Sequence, residues 1–417
     1  MLYLILSLLP LVHSYSTLLY RVGSTYADVL APSQDPWYSA PSGWESSAPG
    51  TVLRVRAAPG NLTSIITNSS AAYNILYSTT DSNYNATWAV TTLLIPHTPA
   101  QPQSGVQSSQ PNSLLSYQIP YDSADVDASP SHALYGNDLA EVELALEQGW
   151  YVSVPDYEGP FASFTAGVQS GHATLDSVRA VMRTGFGLSD QTRYAMWGYS
   201  GGALASEWAA ELQKAYAPEL SFAGAALGGL TPNISSVLLH INEKISAGLG
   251  PAGTVGLASQ HPELQAFLEE NLKKEGQYNA TTFMSVKGMN LAEAIGAFAN
   301  QDLGEYFVNG LQTLESPLAE AIQTSDGFMG LHGVPQMPLF VYKAIGDEIS
   351  PTSDTDALVQ KYCDVGVSIL YQRNEVGEHT SESLNGRVRA LMWLSAALDG
   401  KLQQTGCQVE VVNVTAT

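Results

Sequence analysis

The sequence predicts an α/β fold: a mostly parallel central sheet, helices on both faces, and a block of helices inserted late in the chain. Three observations carry this. From Ser113 onward, short apolar runs alternate with helical patterns, as in sheets built from strand–helix–strand units. Around Ser200 an apolar run breaks at Gly198-Tyr199-Ser200-Gly201-Gly202 into an Ala/Leu/Glu-rich helical segment. Between Gly229 and Phe328 the alternation stops, and helical patterns punctuated by Gly and Pro fill the interval before apolar runs resume.

Taken in order, residues 51–56, 72–77 and 88–95 read as strands, the last two separated by a polar turn around 81–85. Residues 96–112, dense in Pro, Gln, Ser and Gly, read as a loop. Strand character returns over 113–119. Residues 139–148 read as a helix closed by Gly149, and 151–155 as a short buried strand. A helix is expected over 171–184, with Leu175, Val178 and Met182 on one face. Strands at 194–197 and 222–227 flank the Ser200 turn and its helix. Helices are expected at 237–247, 262–274, 291–299 and 305–313. The core resumes with strands at 338–345 and 367–372, and a closing helix over 386–398.

Composition narrows the function classes. The chain has 417 residues, 45% of them hydrophobic, enough for a large core. Its formal charge is −22, from 39 acidic and 17 basic residues, which argues against nucleic-acid binding and against electrostatic docking on anionic membranes. Residues 1–14 form an apolar leader ending in small residues, expected to be a signal peptide cleaved after Ser14. No other run is long and apolar enough to span a membrane. Asn-x-Ser/Thr sequons at Asn61, Asn68, Asn85, Asn233, Asn279 and Asn413 agree with a secreted, extracellular glycoprotein. The two cysteines, Cys363 and Cys407, are expected to pair in an oxidising compartment, the alternative being two buried thiols. No Cys/His cluster has metal-ligand spacing, and no cofactor is expected.

The stretch around Ser200 carries the chemistry. A serine on a sharp strand-to-helix turn is held in a strained backbone that projects its hydroxyl, and its neighbours must be small for strand and helix to approach. The free N–H groups of the following helix then point toward a developing oxyanion. Serine needs a base to take its proton, and the base needs a carboxylate to fix its tautomer. In the α/β-hydrolase fold both follow the nucleophile on loops after core strands, acid before histidine. Four histidines follow Ser200: His240 and His261 fall on the inserted helices, His332 precedes a core strand, and His379 follows the last one. His379, in a loop ahead of the closing helix, is the candidate base. Asp347, directly after the strand at 338–345, is the candidate acid, ahead of Glu348, Asp354 and Asp356.

At these residues the chain resembles the fungal secretory lipases, the group containing the A-type lipase of Candida. The resemblance covers most of the chain: Asp35-Pro36-Trp37-Tyr38, Gly50 to Arg54, Tyr117-Gln118 with Asp122-Ser123, Pro155 to Pro160, Leu175 to Arg179, Gly198 to Gly202, Gly346-Asp347-Glu348-Ile349 and Glu378-His379. It implies Ser200, Asp347 and His379 as a catalytic triad, a helical lid over 229–328, and an oxyanion site at the N–H of Gly201 and at Asp122. A charged Asp122 would repel an oxyanion, so it serves either through its backbone N–H or as a neutral, buried acid. A turn-capping aspartate is the plain alternative. The family's cysteine just after the Asp122 loop, paired with one in the lid, has no counterpart in Asp125 to Pro130.

The expectation is a secreted triacylglycerol lipase or carboxylesterase, monomeric, acting on lipid esters at a lipid–water interface or in solution. Leu238, Leu239, Ile245, Leu249, Phe267 and Phe283 are candidates for an acyl tunnel, or simply for the core of the inserted helices. A peptidase or acyltransferase of the same fold is the alternative, and a non-catalytic lipid-binding protein a further one.

Overall fold

The computed structural model describes residues 29–97, 112–136 and 139–416. The leader at 1–14 lies outside these residues, as does nearly all of the loop at 96–112. Among the described residues, ten strands form one sheet: β1 (Val52–Ala57), β2 (Ser69–Thr80), β3 (Ala86–Pro96), β4 (Ser113–Gln118), β5 (Tyr151–Pro155), β6 (Arg193–Tyr199), β7 (Ala225–Gly228), β8 (Leu339–Ala344), β9 (Ile369–Asn374) and β10 (Cys407–Val412). Their order is β1-β2-β3-β5-β4-β6-β7-β8-β9-β10. The first four in that order pair antiparallel and the remainder parallel. All nine expected strands are present. The tenth, β10, adds parallel to β9, with Cys407 opposite Ile369.

The principal helices are α1 (Ala140–Glu147), α2 (Gly167–Met182), α3 (Gly201–Tyr216), α4 (Ile234–Ile241), α5 (Leu249–Ala258), α6 (Pro262–Asn271), α7 (Ala280–Met284), α8 (Leu291–Phe298), α9 (Pro317–Asp326), α10 (Thr352–Asp364) and α11 (His379–Leu398). One face of the sheet buries Leu175, Val178, Trp208, Leu212, Leu358 and Tyr362 from α2, α3 and α10 against Leu114, Met196, Ala225 and Val341. The other buries Val142, Leu146, Ala390 and Leu394 from α1 and α11 against Leu115, Ala195, Trp197 and Phe340. The alternation Ala195/Met196/Trp197 is the period-2 signature of a strand covered on both faces.

Several boundaries differ from the sequence reading. The helix expected from Gly171 begins at Gly167, because the N–H of Val168 in its first turn is taken by Asp326 Oδ1 at 2.7 Å, a cap supplied from α9. The closing helix begins at His379, seven residues before Gly386. Gly386 is not a start signal but a contact point: a Cβ there would lie 2.1 Å from the Tyr342 ring. The segment expected as one helix over 305–313 is instead two short 3-10 turns, Leu303–Tyr306 and Gly310–Glu315. The helix expected over 237–247 ends at Ile241, where Glu243 takes a positive φ of 61°. Helices α5, α7 and α9 had not been anticipated.

The inserted helices have a core of their own. Val255, Leu257, Leu264, Leu268, Phe283, Phe298, Leu303 and Phe307 pack together, and Phe164 and Ala166 from the sheet domain join them. Hydrogen bonds tie the block down. Asn83 Nδ2 donates to the Gln260 carbonyl (2.7 Å), Thr165 Oγ1 to the Gly253 carbonyl (2.9 Å), and the Val168 N–H to Asp326 Oδ1 (2.7 Å), while within the block His261 Nε2 meets Asp326 Oδ2 at 2.8 Å. Where the sequence lacks a cysteine after the Asp122 loop, Ser123 Oγ donates to the Met289 carbonyl at 2.8 Å.

Candidate active site

The site lies beyond the carboxyl ends of the parallel strands, where connections in open sheets leave room for a ligand. Asp122 follows β4, Ser200 follows β6, Asp347 follows β8 and His379 follows β9. The registers Gln118↔Gly198, Gly198↔Leu227 and Ala344↔Asn374 bring these strand ends to one level.

Ser200 sits at φ 53°, ψ −123°, a sparsely populated conformation for a side-chain-bearing residue that costs about 1–3 kcal/mol. Its N–H donates to the Gly228 carbonyl at 2.9 Å, fixing the turn to β7. The flanking glycines are demanded by close approach. A Cβ on Gly198 would lie 2.1 Å from the Gly202 carbonyl oxygen, and one on Gly202 would lie 1.9 Å from that of Gln118. A Cβ on Gly201 would meet Asp122 Oδ1 at 1.8 Å. Gly201 and Gly202 open α3, so their N–H groups have no partner within the helix.

Ser200 Oγ is 2.8 Å from His379 Nε2, and His379 Nδ1 is 2.7 Å from Asp347 Oδ2. His379 is therefore not on the expected loop but in the first turn of α11. Its N–H donates to Glu348 Oε2 (2.6 Å), and its carbonyl accepts from Tyr199 Oη. The Oδ1 of Asp347 accepts from the N–H groups of Ile349 (2.9 Å) and Ser350 (2.8 Å). Burial pushes the Asp347 carboxyl up, but His379, Lys343 and the Ser350 N–H together hold it well below the ordinary carboxylate range. Asp354 lies in the first turn of α10, and Asp356 pairs with Arg373 at 3.2 Å. Of the other histidines, His240 lies on α4, His261 meets Asp326, and His332 lies 3.4 Å from Glu211.

Asp122 is buried beside Gly201, at φ 44°. Its Oδ1 has no hydrogen-bond partner among the described residues. Burial raises its carboxyl to about 7, with His379 pulling the other way. A neutral carboxylic acid is therefore available next to the N–H of Gly201 below neutral pH.

Ser200, Gly201 and Asp122 open onto a pocket under the inserted helices. Its walls are largely apolar, with Leu204, Leu238, Leu249, Leu257 and Leu264 prominent. Of the six tunnel candidates, Leu238 and Leu249 line it. Leu239 and Ile245 instead face outward, at 55% and 45% exposure. Phe267 and Phe283 belong to the packing between the inserted helices.

Sequence reasoning overlooked Lys343. It is fully buried on β8, with Nζ 2.9 Å from Asp347 Oδ2 and 2.8 Å from the Leu230 carbonyl. A lone lysine in Leu339-Phe340-Val341-Tyr342-Lys343-Ala344 was the available signal, since lysine is almost never buried unpaired. The role of Glu348 as acceptor for His379 was also not legible.

Away from the site, Cys363 at the end of α10 is bonded to Cys407 at the start of β10. Asn61, Asn85 and Asn413 are exposed; Asn68, Asn233 and Asn279 are half-buried. The Asn68 amide donates to Glu147 (3.1 Å) and the Asn279 amide to the Gly276 carbonyl (2.6 Å), while Asn233 Oδ1 caps α4. Among the described residues no cluster suits a metal ion, and no helix is long and apolar enough to cross a membrane.

Comparison with known proteins agrees with this architecture. The Secretory lipase family model matches residues 126–406. The chain is 49% identical to the trichothecene C-3 esterase of Fusarium sporotrichioides, over 98% of this chain and 94% of that protein. It is 34% identical to lipase 5 of Candida albicans, over 94% and 87% respectively. The solved structure of Candida antarctica lipase A superposes with a TM-score of 0.82 at 30% identity, covering 93% of this chain and 90% of that one. The chain thus belongs to the secretory lipase family of α/β-hydrolases and is a carboxylic ester hydrolase.

Proposed function

We propose that this protein is a secreted esterase or lipase that cleaves its substrate through an acyl-enzyme on Ser200. The observation that carries the reading is the unbroken hydrogen-bonded line Ser200–His379–Asp347 at the mouth of an apolar cavity. His379 Nε2 takes the serine proton as Oγ attacks the ester carbonyl, then returns it to the leaving alcohol. Asp347 fixes the tautomer through Nδ1 and stabilises the imidazolium. The N–H of Gly201 and the neutral carboxyl of Asp122 receive the developing oxyanion. Water, activated by the same histidine, then releases the acid. The acyl group lies in the cavity under 229–328, which acts as a cap. The leader and the sequons support secretion, with Asn61, Asn85 and Asn413 the most accessible positions for glycans.

Similarity to a trichothecene C-3 esterase and to a probable trichothecene esterase favours a second reading within this chemistry, cleavage of a trichothecene ester. Rates on p-nitrophenyl esters from acetate to palmitate, on triglycerides, and on a trichothecene ester separate the two. Ser200→Ala is expected to lower turnover by about 10⁴-fold or more on every substrate. A fluorophosphonate is expected to label Ser200 alone. Near-wild-type turnover of a folded Ser200→Ala protein would overturn the assignment.

A further inference from the structure

The acid of the proposed triad has a second ionic partner. Asp347 Oδ2 is shared between His379 Nδ1 at 2.7 Å and Lys343 Nζ at 2.9 Å, and the side chains of both Asp347 and Lys343 are shielded from solvent. Lys343 also donates to the Leu230 carbonyl at 2.8 Å. That carbonyl, just before the inserted helices, further accepts from Ser350 Oγ (3.1 Å) and Thr355 Oγ1 (3.4 Å). An ammonium is expensive to bury, and an apolar residue of similar volume would fill this strand position at lower cost. We propose that Lys343 is a positioning residue for the catalytic acid: its ammonium holds Asp347 Oδ2 in line with His379 Nδ1 and ties that carboxylate to the base of the inserted helices. The inference rests on Asp347 and His379 acting as read above.

The arrangement has a consequence that packing alone would not produce. A cation on the oxygen that faces the imidazole favours the ionised form of Asp347. That extends the working form of the pair toward acid. The other ionisable groups facing this pair are Glu348 from the loop after β8, Asp122 from the loop after β4, and Tyr199 from β6. Lys343 itself is also faced by Asp354 from α10, and His240 from α4 is close enough to feel Asp347, Glu348 and Asp354. Among these groups Lys343 is the one in ionic contact with Asp347 besides His379. Burial pushes its ammonium below its usual value while Asp347 pulls it back up.

The test is the pH profile of kcat/KM for a soluble p-nitrophenyl ester. Lys343→Met is expected to leave measurable hydrolysis but to move the acid limb upward by about one unit or more. Thr355→Val, which removes a hydroxyl from the same Leu230 carbonyl without touching the charge, is expected to lower Tm and leave the limb in place. Lys343→Gln keeps a donor without a charge, and carries the same expectation should Lys343→Met not fold. An unmoved acid limb in a folded Lys343 variant overturns the inference, as does failure of both variants to fold, which would make the ammonium a folding element only. If Ser200→Ala protein retains hydrolysis, the triad reading itself fails. Loss in Ser200→Ala with an unmoved limb in Lys343→Met refutes the positioning role alone.

Discussion

Replacing Asp122 by asparagine is expected to stabilise the protein, increasingly so as pH rises. The unfolded chain ionises this aspartate near pH 4, whereas burial holds the folded carboxyl protonated up to about 7. Between those values the native state binds more protons than the unfolded state, so stability falls with rising pH, and the loss is complete above about pH 7. Three units correspond to about 4 kcal/mol, an upper magnitude that relaxation around the buried acid reduces to the order of 2–4 kcal/mol. Asparagine has nearly the same shape and no ionisation, so it escapes the penalty. Glu158 belongs to the same buried group: its carboxyl is raised by burial and by Asp122, and neither oxygen has a partner among the described residues. Its coupling to Asp122 adds to the difference in the same direction. Urea unfolding followed by tryptophan fluorescence at pH values from 4 to 8 measures the effect. The variant and wild-type curves should diverge from pH 4 to 7 and run parallel above. A stability difference independent of pH would refute the neutral buried acid, and with it the donor role assigned to Asp122.

Further outcomes follow from the same geometry. Asp122→Asn should also remove the decline in wild-type kcat/KM expected above about pH 7, when ionised Asp122 faces the oxyanion; steady-state rates from pH 6 to 9 show this. Gly201→Ala places a Cβ against the Asp122 carboxyl and should lower kcat by about 10²-fold with KM little changed. Leu238→Trp, which fills the cavity, should lower kcat/KM for a long-chain ester by about 10-fold or more while sparing the acetate; equal losses would remove the acyl chain from this cavity. Replacing Cys363 and Cys407 together by serine should cost about 2–4 kcal/mol of stability, read by chemical denaturation without reductant.

The sheet and the elbow were legible because their signals are local. Alternating or continuous apolar runs mark every strand from β1 to β9, and Gly198 to Gly202 reads as a turn wherever it stands. The order Ser200, Asp347, His379 follows from the fold once the strands are placed. What escaped the sequence reading is set by distant partners. The start of α2 is capped by Asp326, Gly386 lies inside α11 with the Tyr342 ring against it, and β10 is a strand because β9 offers it an edge. Its residues Cys407-Gln408-Val409-Glu410-Val411-Val412 do alternate apolar and polar, a strand signal the reading passed over, although the strand is mostly exposed at the sheet edge. The helices of the inserted block were misjudged for a similar reason. Gly and Pro interrupt α5 in sequence, yet α5 is helical because it packs between the other inserted helices and Phe164.

The sheet order has a consequence for how the chain becomes an enzyme. The Ser200 turn depends on β4, β6 and β7, all of which precede the inserted helices, whereas Asp347 and His379 come after β8 and β9, which follow them. A chain emerging from its N-terminus can complete the surroundings of Ser200, the proposed nucleophile, while His379, the proposed base, is still unsynthesised. The pairing of β10 with β9 and the Cys363–Cys407 bond, both closing around His379, then come last. The contact of His379 with Ser200 spans 179 residues of chain, and contacts of such long sequence separation form slowly. On the proposed triad, hydrolytic competence therefore arrives at the end of folding, and a molecule interrupted on the way holds the shaped Ser200 turn without His379 beside it.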